Sequence, residues 1–332
     1  MTSKDLIDRF QGTILGCAIG DALGFPYEGI GPETLWERRH EIVAKFTPHP
    51  SGSFPLGQFT DDTQLTLALL EAILEAGKVD GQKIAQKIAV LWKNGTIIGR
   101  GMACSLAMNN FIQGMAWNMA GAPEGSAGNG SAMRASPIGL WNFAHYDHIS
   151  SDSRIQSIVT HQDSRATAGA TAVAASVTLN LNRPNLERNS ARKEYLIKIG
   201  TLVGNVHADF GCYIKKLNEY LSFSPAKAIA LIRSTGYTGT AKPDWPGISP
   251  YVIPTVLTAL FSFLRSPDDF RETVSITIGA GGDVDTTSAI AGSLSGAFNG
   301  LVGLPVKLRK EVLDGARLIS LASTLYQMAI ER

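Results

Sequence analysis

GTILGCAIGDALG, residues 12–24, sets a glycine at every fourth position: Gly12, Gly16, Gly20 and Gly24. SAIAGSLSGAFNG, residues 288–300, does the same with Gly292, Gly296 and Gly300. An α-helix brings i and i+4 onto one face, so each run carries a smooth stripe without side chains. Glycine weakens an isolated helix by about 1 kcal/mol per site. Such stripes are tolerable where another backbone must come close. Both runs therefore read as tightly packed core helices. Further helical patterns are expected over 62–76, 82–92, 164–180, 193–210, 225–234, 251–264, 267–278 and 306–330. Ser224-Pro225 and Ser266-Pro267-Asp268 look like helix starts, with a capping hydroxyl ahead of proline at the first helical position. Alternating Val/Ile-rich runs are nearly absent. The fold class expected is all-α, in a single compact multi-helix domain over residues 1–332.

The bulk numbers describe an ordinary globular chain. It has 332 residues, 44% of them hydrophobic, and a formal net charge of +1. No basic stripe suggests nucleic acid, so a nucleic-acid partner is not expected. No apolar run approaches the roughly 20 residues of a membrane span, and the polar N-terminus is unlike a secretory signal. The three cysteines, Cys17, Cys104 and Cys212, are far apart. They are expected to be buried free thiols in a reducing cytoplasm. Three loops stand out: 121–130 (GAPEGSAGNG), the charged 182–193, and 236–250 (GYTGTAKPDWPGISP).

Two acidic clusters lie more than 200 residues apart, Thr60-Asp61-Asp62 and Asp283-Val284-Asp285-Thr286. Each joins carboxylates to a threonine hydroxyl at the head of a run of small and apolar residues. Either cluster alone reads equally as a helix cap, since carboxylates are favoured at helix N-termini. Together they offer four carboxylates and two hydroxyls. Four like charges in one pocket repel strongly in a low dielectric, and two divalent cations would neutralise them. The donors are all hard oxygens, which favours Mg²⁺ or Mn²⁺ over zinc or copper. Asp283 and Asp285 are two apart, so an extended loop would turn both to one side.

Three more groups are candidates for chemistry. The loop Gly128-Asn129-Gly130-Ser131, followed by Met133, could present backbone N–H groups to a phosphate, or be a plain turn. Arg134 reads as structural. His161, just ahead of a helix, could bond a ligand hydroxyl or cap that helix. Glu28 follows the first glycine-striped helix at a turn. Asp21, inside that helix, needs a partner, either as support for the metals or as a buried hydrogen-bond anchor.

GCAIGDALGFPYEG, FTDDTQLTLALLEAI, GNGSAMRASPIGL, THQDSRATAGATAVA and GAGGDVDTTSAIAGSLSGAFNG follow one another along nearly the whole chain. In that order they resemble the ADP-ribosylglycohydrolase family, with the TDD and GGDxDT pair as the specific part. The resemblance implies an all-α fold around a binuclear Mg²⁺ or Mn²⁺ centre. It implies the ligands Thr60, Asp61, Asp62, Asp283, Asp285 and Thr286. It implies a glycine loop near the phosphates, His161 near the ribose and Glu28 close to the scissile bond. The expected reaction is metal-dependent removal of ADP-ribose from a protein side chain or a small conjugate, with arginine slightly favoured as acceptor. Glu28 or Asp62 would assist proton transfer. Tyr237, Trp245 and Tyr251 are the aromatic candidates for stacking on adenine. A two-metal phosphoester hydrolase and a non-catalytic ADP-ribose binder are the alternatives.

Overall fold

Glycine at 12, 16, 20 and 24 lets the helix Ser3–Gly24 lie directly on the helix Val284–Asn299. The two run antiparallel. Gly12 meets Gly296 and Gly300, Gly16 meets Gly292, Gly20 meets Ser288, and Gly24 meets Asp285, all backbone to backbone. A Cβ at Gly24 would stand 2.5 Å from the Asp285 Cα. The stripes predicted from the sequence thus face each other, and the pair forms the spine of the molecule. Both helices are buried over most of their length.

The computed structural model describes residues 3–237 and 245–332. Its described residues form 18 α-helices and three short 3-10 turns, with isolated β-bridges but no strand. The fold is all-α, in one compact domain around the spine. The helices Asp61–Ala76, Ser164–Asn180, Val252–Arg265 and Gly315–Ile330 pack around it. Thr60 caps the first of these and Gly77, at φ 65°, ends it. Ser224 caps the helix Pro225–Arg233, as expected.

Several boundaries differ from the sequence pattern. The expected 193–210 helix is two, Asn189–Gly204 and Ala208–Tyr220, because the His207 side chain accepts the Phe210 N–H and starts a new helix. The expected 306–330 helix also divides, into Val306–Glu311 and Gly315–Ile330. Between them Leu313 bonds the Gly57 carbonyl and Asp314 takes φ 54°. The 267–278 helix starts later, at Phe270, since Asp269 rather than Ser266 supplies the cap. The centre of the 236–250 loop, 238–244, lies outside the described residues. Cys17 and Cys104 are buried free thiols, but Cys212 is exposed, a correction to the expected burial. No helix among the described residues is long and apolar enough to cross a membrane.

Candidate active site

The spine brings the two acidic clusters together. Asp283 stands immediately ahead of the helix Val284–Asn299, its side chain making no capping bond, with Asp285 in the first turn. Asp61 and Asp62 open the helix Asp61–Ala76. The Thr286 hydroxyl donates to Asp62 Oδ2 at 3.3 Å, bridging clusters more than 200 residues apart. The extended-loop premise for Asp283 and Asp285 does not hold, because the helix already begins at Val284. The two still share one side, since Asp283 lies in non-helical backbone at ψ 67°.

Gly282, at φ 84°, shapes this end of the site. Its N–H bonds the Ile30 carbonyl and its carbonyl takes the Gly29 N–H, each at 2.8 Å. Asp283 N–H bonds the Ile248 carbonyl at 2.8 Å. A side chain at 282 would strike the Pro246 and Ile248 backbone. These bonds carry Glu28 to the acids. Oxygen atoms of Glu28, Asp283 and Asp285 fall within 4.8 Å of one another, an arrangement able to hold a metal ion.

Asp21 is a buried anchor. Its carboxylate accepts the N–H groups of Thr60 and Thr63, each at 3.0 Å, and both their hydroxyls, at 3.0 and 2.6 Å. It therefore fixes the turn that presents Asp61 and Asp62. Burial nevertheless raises the Asp21 carboxyl to about 6, against the pull of those hydrogen bonds.

The electrostatics of the cluster favour a neighbouring positive charge. Burial, and after it the neighbouring carboxylates, push Asp61, Asp62 and Asp285 well above the ordinary range. Burial also raises Asp283, and it raises Glu28 together with the charges of Asp283 and Asp21. No lysine or arginine is among the groups acting most strongly on Asp62, Asp283 or Asp285. The buried Asp62 Oδ1 has no hydrogen-bond partner. A buried carboxylate oxygen with neither donor nor cation is costly. All donors here are oxygens, so the residues fit a hard divalent cation.

These acids line a cavity of about 400 Å³. Glu28, Asp61, Asp62, Asp283, Asp285 and Thr286 all border it; Thr60 lies fully buried behind them. Gly128, Asn129, Gly130, Met133 and His161 line the same cavity. Ser131 is fully buried outside it, its hydroxyl given to the Ala166 carbonyl. The Asn129 amide is committed to the scaffold. Its Nδ2 donates to Asp283 Oδ2 at 2.5 Å and to Thr255 Oγ1 at 3.1 Å. Arg134 is fully buried and spends its guanidinium on Gln156, the Gly130 carbonyl and Thr160, so its role is structural.

Arg134 also orients His161. Arginine can only donate, so Thr160 Oγ1 accepts from it and is left to give its own proton to His161 Nδ1, 2.9 Å away. Nε2–H then faces Gly128, where a Cβ would sit 3.1 Å from that nitrogen. Burial, with Arg134 nearby, lowers His161 to about 3, so it stays neutral. His161 does not cap the following helix; Asp163 does, accepting the Arg165 N–H.

Sequence reasoning missed the wall made by Gly99, Gly101, Met102, Cys104 and Leu106. The Gly101 backbone partly offsets the rise of the Asp61 carboxyl. Tyr237 and Trp245 do not line the acidic cavity. With Trp36 they line a separate one of about 610 Å³, which holds none of the clustered aspartates. Tyr251 packs on Tyr237, ring centroids 4.8 Å apart.

Comparison with known proteins agrees with this architecture. The family model described as ADP-ribosylglycohydrolase matches residues 2–332. The ADP-ribosyl-[dinitrogen reductase] glycohydrolase of Rhodospirillum rubrum is 28% identical, over 92% of this chain and 90% of its own. The ADP-ribosylarginine hydrolase Tri1 of Pseudomonas putida is 27% identical, over 99% of this chain and 81% of its own. A solved structure titled ADP-ribosylglycohydrolase-related protein complex superposes with a TM-score of 0.74 at 27% identity, covering 98% of this chain and 99% of the other. With its whole length matched and its acids gathered at one cavity, the chain belongs to the ADP-ribosylglycohydrolase family and is a glycohydrolase enzyme.

Proposed function

We propose that this enzyme hydrolyses the glycosidic bond joining ADP-ribose to a modified protein side chain, arginine before serine, with two Mg²⁺ or Mn²⁺ ions held by Thr60, Asp61, Asp62, Asp283, Asp285 and Thr286. The observation that carries the reading is the unpartnered Asp62 Oδ1 among acids that burial and mutual repulsion hold above their ordinary range. When bound, the ions supply charge neutralisation and Lewis acidity toward the sugar.

The remaining groups divide the work by position. Backbone N–H groups of Gly128 and Gly130 face the diphosphate, the Asn129 N–H being taken by the Pro250 carbonyl. Neutral His161 offers Nε2–H to a ribose hydroxyl. Glu28, at the solvent side of the cluster, takes a proton from the attacking water, with Asp62 as the second acid able to do so. The bond from the anomeric carbon to the side-chain nitrogen breaks. Hydroxide from water joins that carbon, and the proton goes to the departing guanidine. Arginine is placed first because the relatives from R. rubrum and P. putida are named for a protein conjugate and for arginine.

The test uses peptides carrying ADP-ribosyl-arginine or ADP-ribosyl-serine, with Mg²⁺ and then with EDTA. Free ADP-ribose is expected from the arginine peptide and is lost on chelation. Glu28→Gln is expected to slow release by about 10²–10⁴-fold, the range of a general base. Release of AMP or phosphate instead would mark a phosphoester hydrolase. Tight calorimetric binding of ADP-ribose without turnover of either peptide would mark a non-catalytic binder.

A further inference from the structure

Residues 101–123 contain no Asp, Glu, Lys or Arg, in a chain where 18% of residues are charged. The stretch is not a core segment. Met102, Leu106, Ile112, Met115 and Met119 are all exposed, Met102 to 91% and Met119 to 67%. They are five of the twelve exposed large hydrophobic residues in the described structure. Met102 and Leu106 stand one helical turn apart on the helix Met102–Ile112, so they share its outer side. Met115 and Met119 continue the surface through the following turn.

The stretch that carries this surface meets the active-site cavity near its two ends, at 101–106 and at Ala122. Its first residue, Gly101, lines the same cavity as Asp61. Near its other end, Ala122 lies beside His161, its N–H bonded to the Thr160 carbonyl and its carbonyl to the Gln162 N–H. Met102 and Leu106 are at once cavity wall and exposed surface, so they mark the opening. An ADP-ribosyl group in the cavity remains bonded to its acceptor, and that acceptor leaves through the opening beside the acids.

The geometry points to the 102–119 surface as the docking face for the protein that carries the ADP-ribose. This rests on the activity proposed above and names the partner surface it needs. The composition fits that occupant: interface centres are depleted of charge and enriched in Met and aromatic residues. Methionine adapts to differently shaped partners. A second copy of this chain seated here would crowd the opening against protein substrates.

The test separates docking from chemistry. The soluble proteins of its own cell are labelled with ADP-ribose on arginine, and half of the preparation is digested completely to peptides. Initial rates of ADP-ribose release at limiting substrate are compared for the wild type and for Ile112→Lys/Met115→Lys/Met119→Lys, three exposed positions outside the cavity wall. The variant is expected to match the wild type on peptides and in melting temperature. On intact proteins it is expected to fall about tenfold or more, the effect of losing one strong interface contact. Equal rates on intact proteins would overturn the assignment. So would a matching loss on peptides, which would make the face part of the ADP-ribose site. A wild-type dimer that the variant converts to a monomer would give the face to a second copy. Failure of the wild type on peptides and proteins alike would instead sink the proposed activity.

Discussion

Gly20→Ala tests whether the spine positions the site. The added Cβ would stand 2.6 Å from the Ser288 carbonyl carbon, and closer still to its oxygen. Carbon atoms pack comfortably at about 3.5–4.0 Å, so the two helices must part locally by about 1 Å. Both obstacles are backbone, and no rotamer change relieves them. Helix propensity alone predicts a gain of about 1 kcal/mol from this substitution. Overpacking a close-packed site typically costs about 1–3 kcal/mol and sometimes more. With a rigid neighbour the cost takes the upper end, leaving a net loss of about 2 kcal/mol. The same displacement reaches the chemistry, because Asp21 follows Gly20 and Ser288 follows Asp285 by three positions. Urea unfolding with EDTA reads the stability, and Mn²⁺ calorimetry reads the site. Gly204→Ala is the control, since a Cβ there meets nothing nearer than 4.0 Å; it is expected to be neutral or mildly stabilising. If Gly20→Ala stabilises as propensity predicts, or destabilises without weakening Mn²⁺ binding, the coupling of spine to site is refuted.

Two further outcomes follow from the acids. Asp61, Asp62 and Asp285 titrate well above 3.8 in the metal-free fold, and Asp21 near 6. Raised carboxyl groups stabilise the fold below their unfolded values, and that stability is lost as pH rises through the folded ones. In EDTA the melting temperature should therefore fall between pH 5 and 8, while saturating Mg²⁺ should flatten the slope; parallel curves in both media would contradict the shared site. Asn129→Ala removes the donor to Asp283 Oδ2 and Thr255 Oγ1 and should weaken Mn²⁺ binding about 10–100-fold, the range for groups that orient ligands, with an unchanged affinity counting against that role.

The sequence carried the fold further than its local boundaries. The glycine stripes at Gly12–Gly24 and Gly292–Gly300 identified two tightly packed core helices, because close backbone contact makes such spacing worthwhile; that each is the other's partner came from the structure. The divisions at His207 and Asp314 left no comparable mark. The hydrophobic pattern runs through both, and the break is set by a histidine cap in one case and by the tertiary bond of Leu313 to Gly57 in the other. Asp283 and Asp285 illustrate a sound destination reached from a wrong local picture. Their spacing suggested an extended loop, whereas a helix N-terminus brings them together.

The site divides along similar lines. Acids announce themselves because an unneutralised cluster is expensive wherever it is buried, so two clusters already implied a cation. Roles that depend on direction stayed hidden. Asn129 and Ser131 sit in the same glycine-rich turn, yet one amide holds Asp283 and one hydroxyl is given to the Ala166 carbonyl. Which way each side chain turns is decided by the helices Val252–Arg265 and Ser164–Asn180 packed behind the turn. The uncharged 101–123 stretch was legible only as an absence. Lack of charge ordinarily means burial, and one sequence cannot separate a core helix from an apolar rim. Exposure separates them. A chain that keeps charge out of the solvent-facing positions of residues 101–123 forgoes solubility there, and a surface that a partner covers during each turnover is the physical circumstance in which that cost is offset.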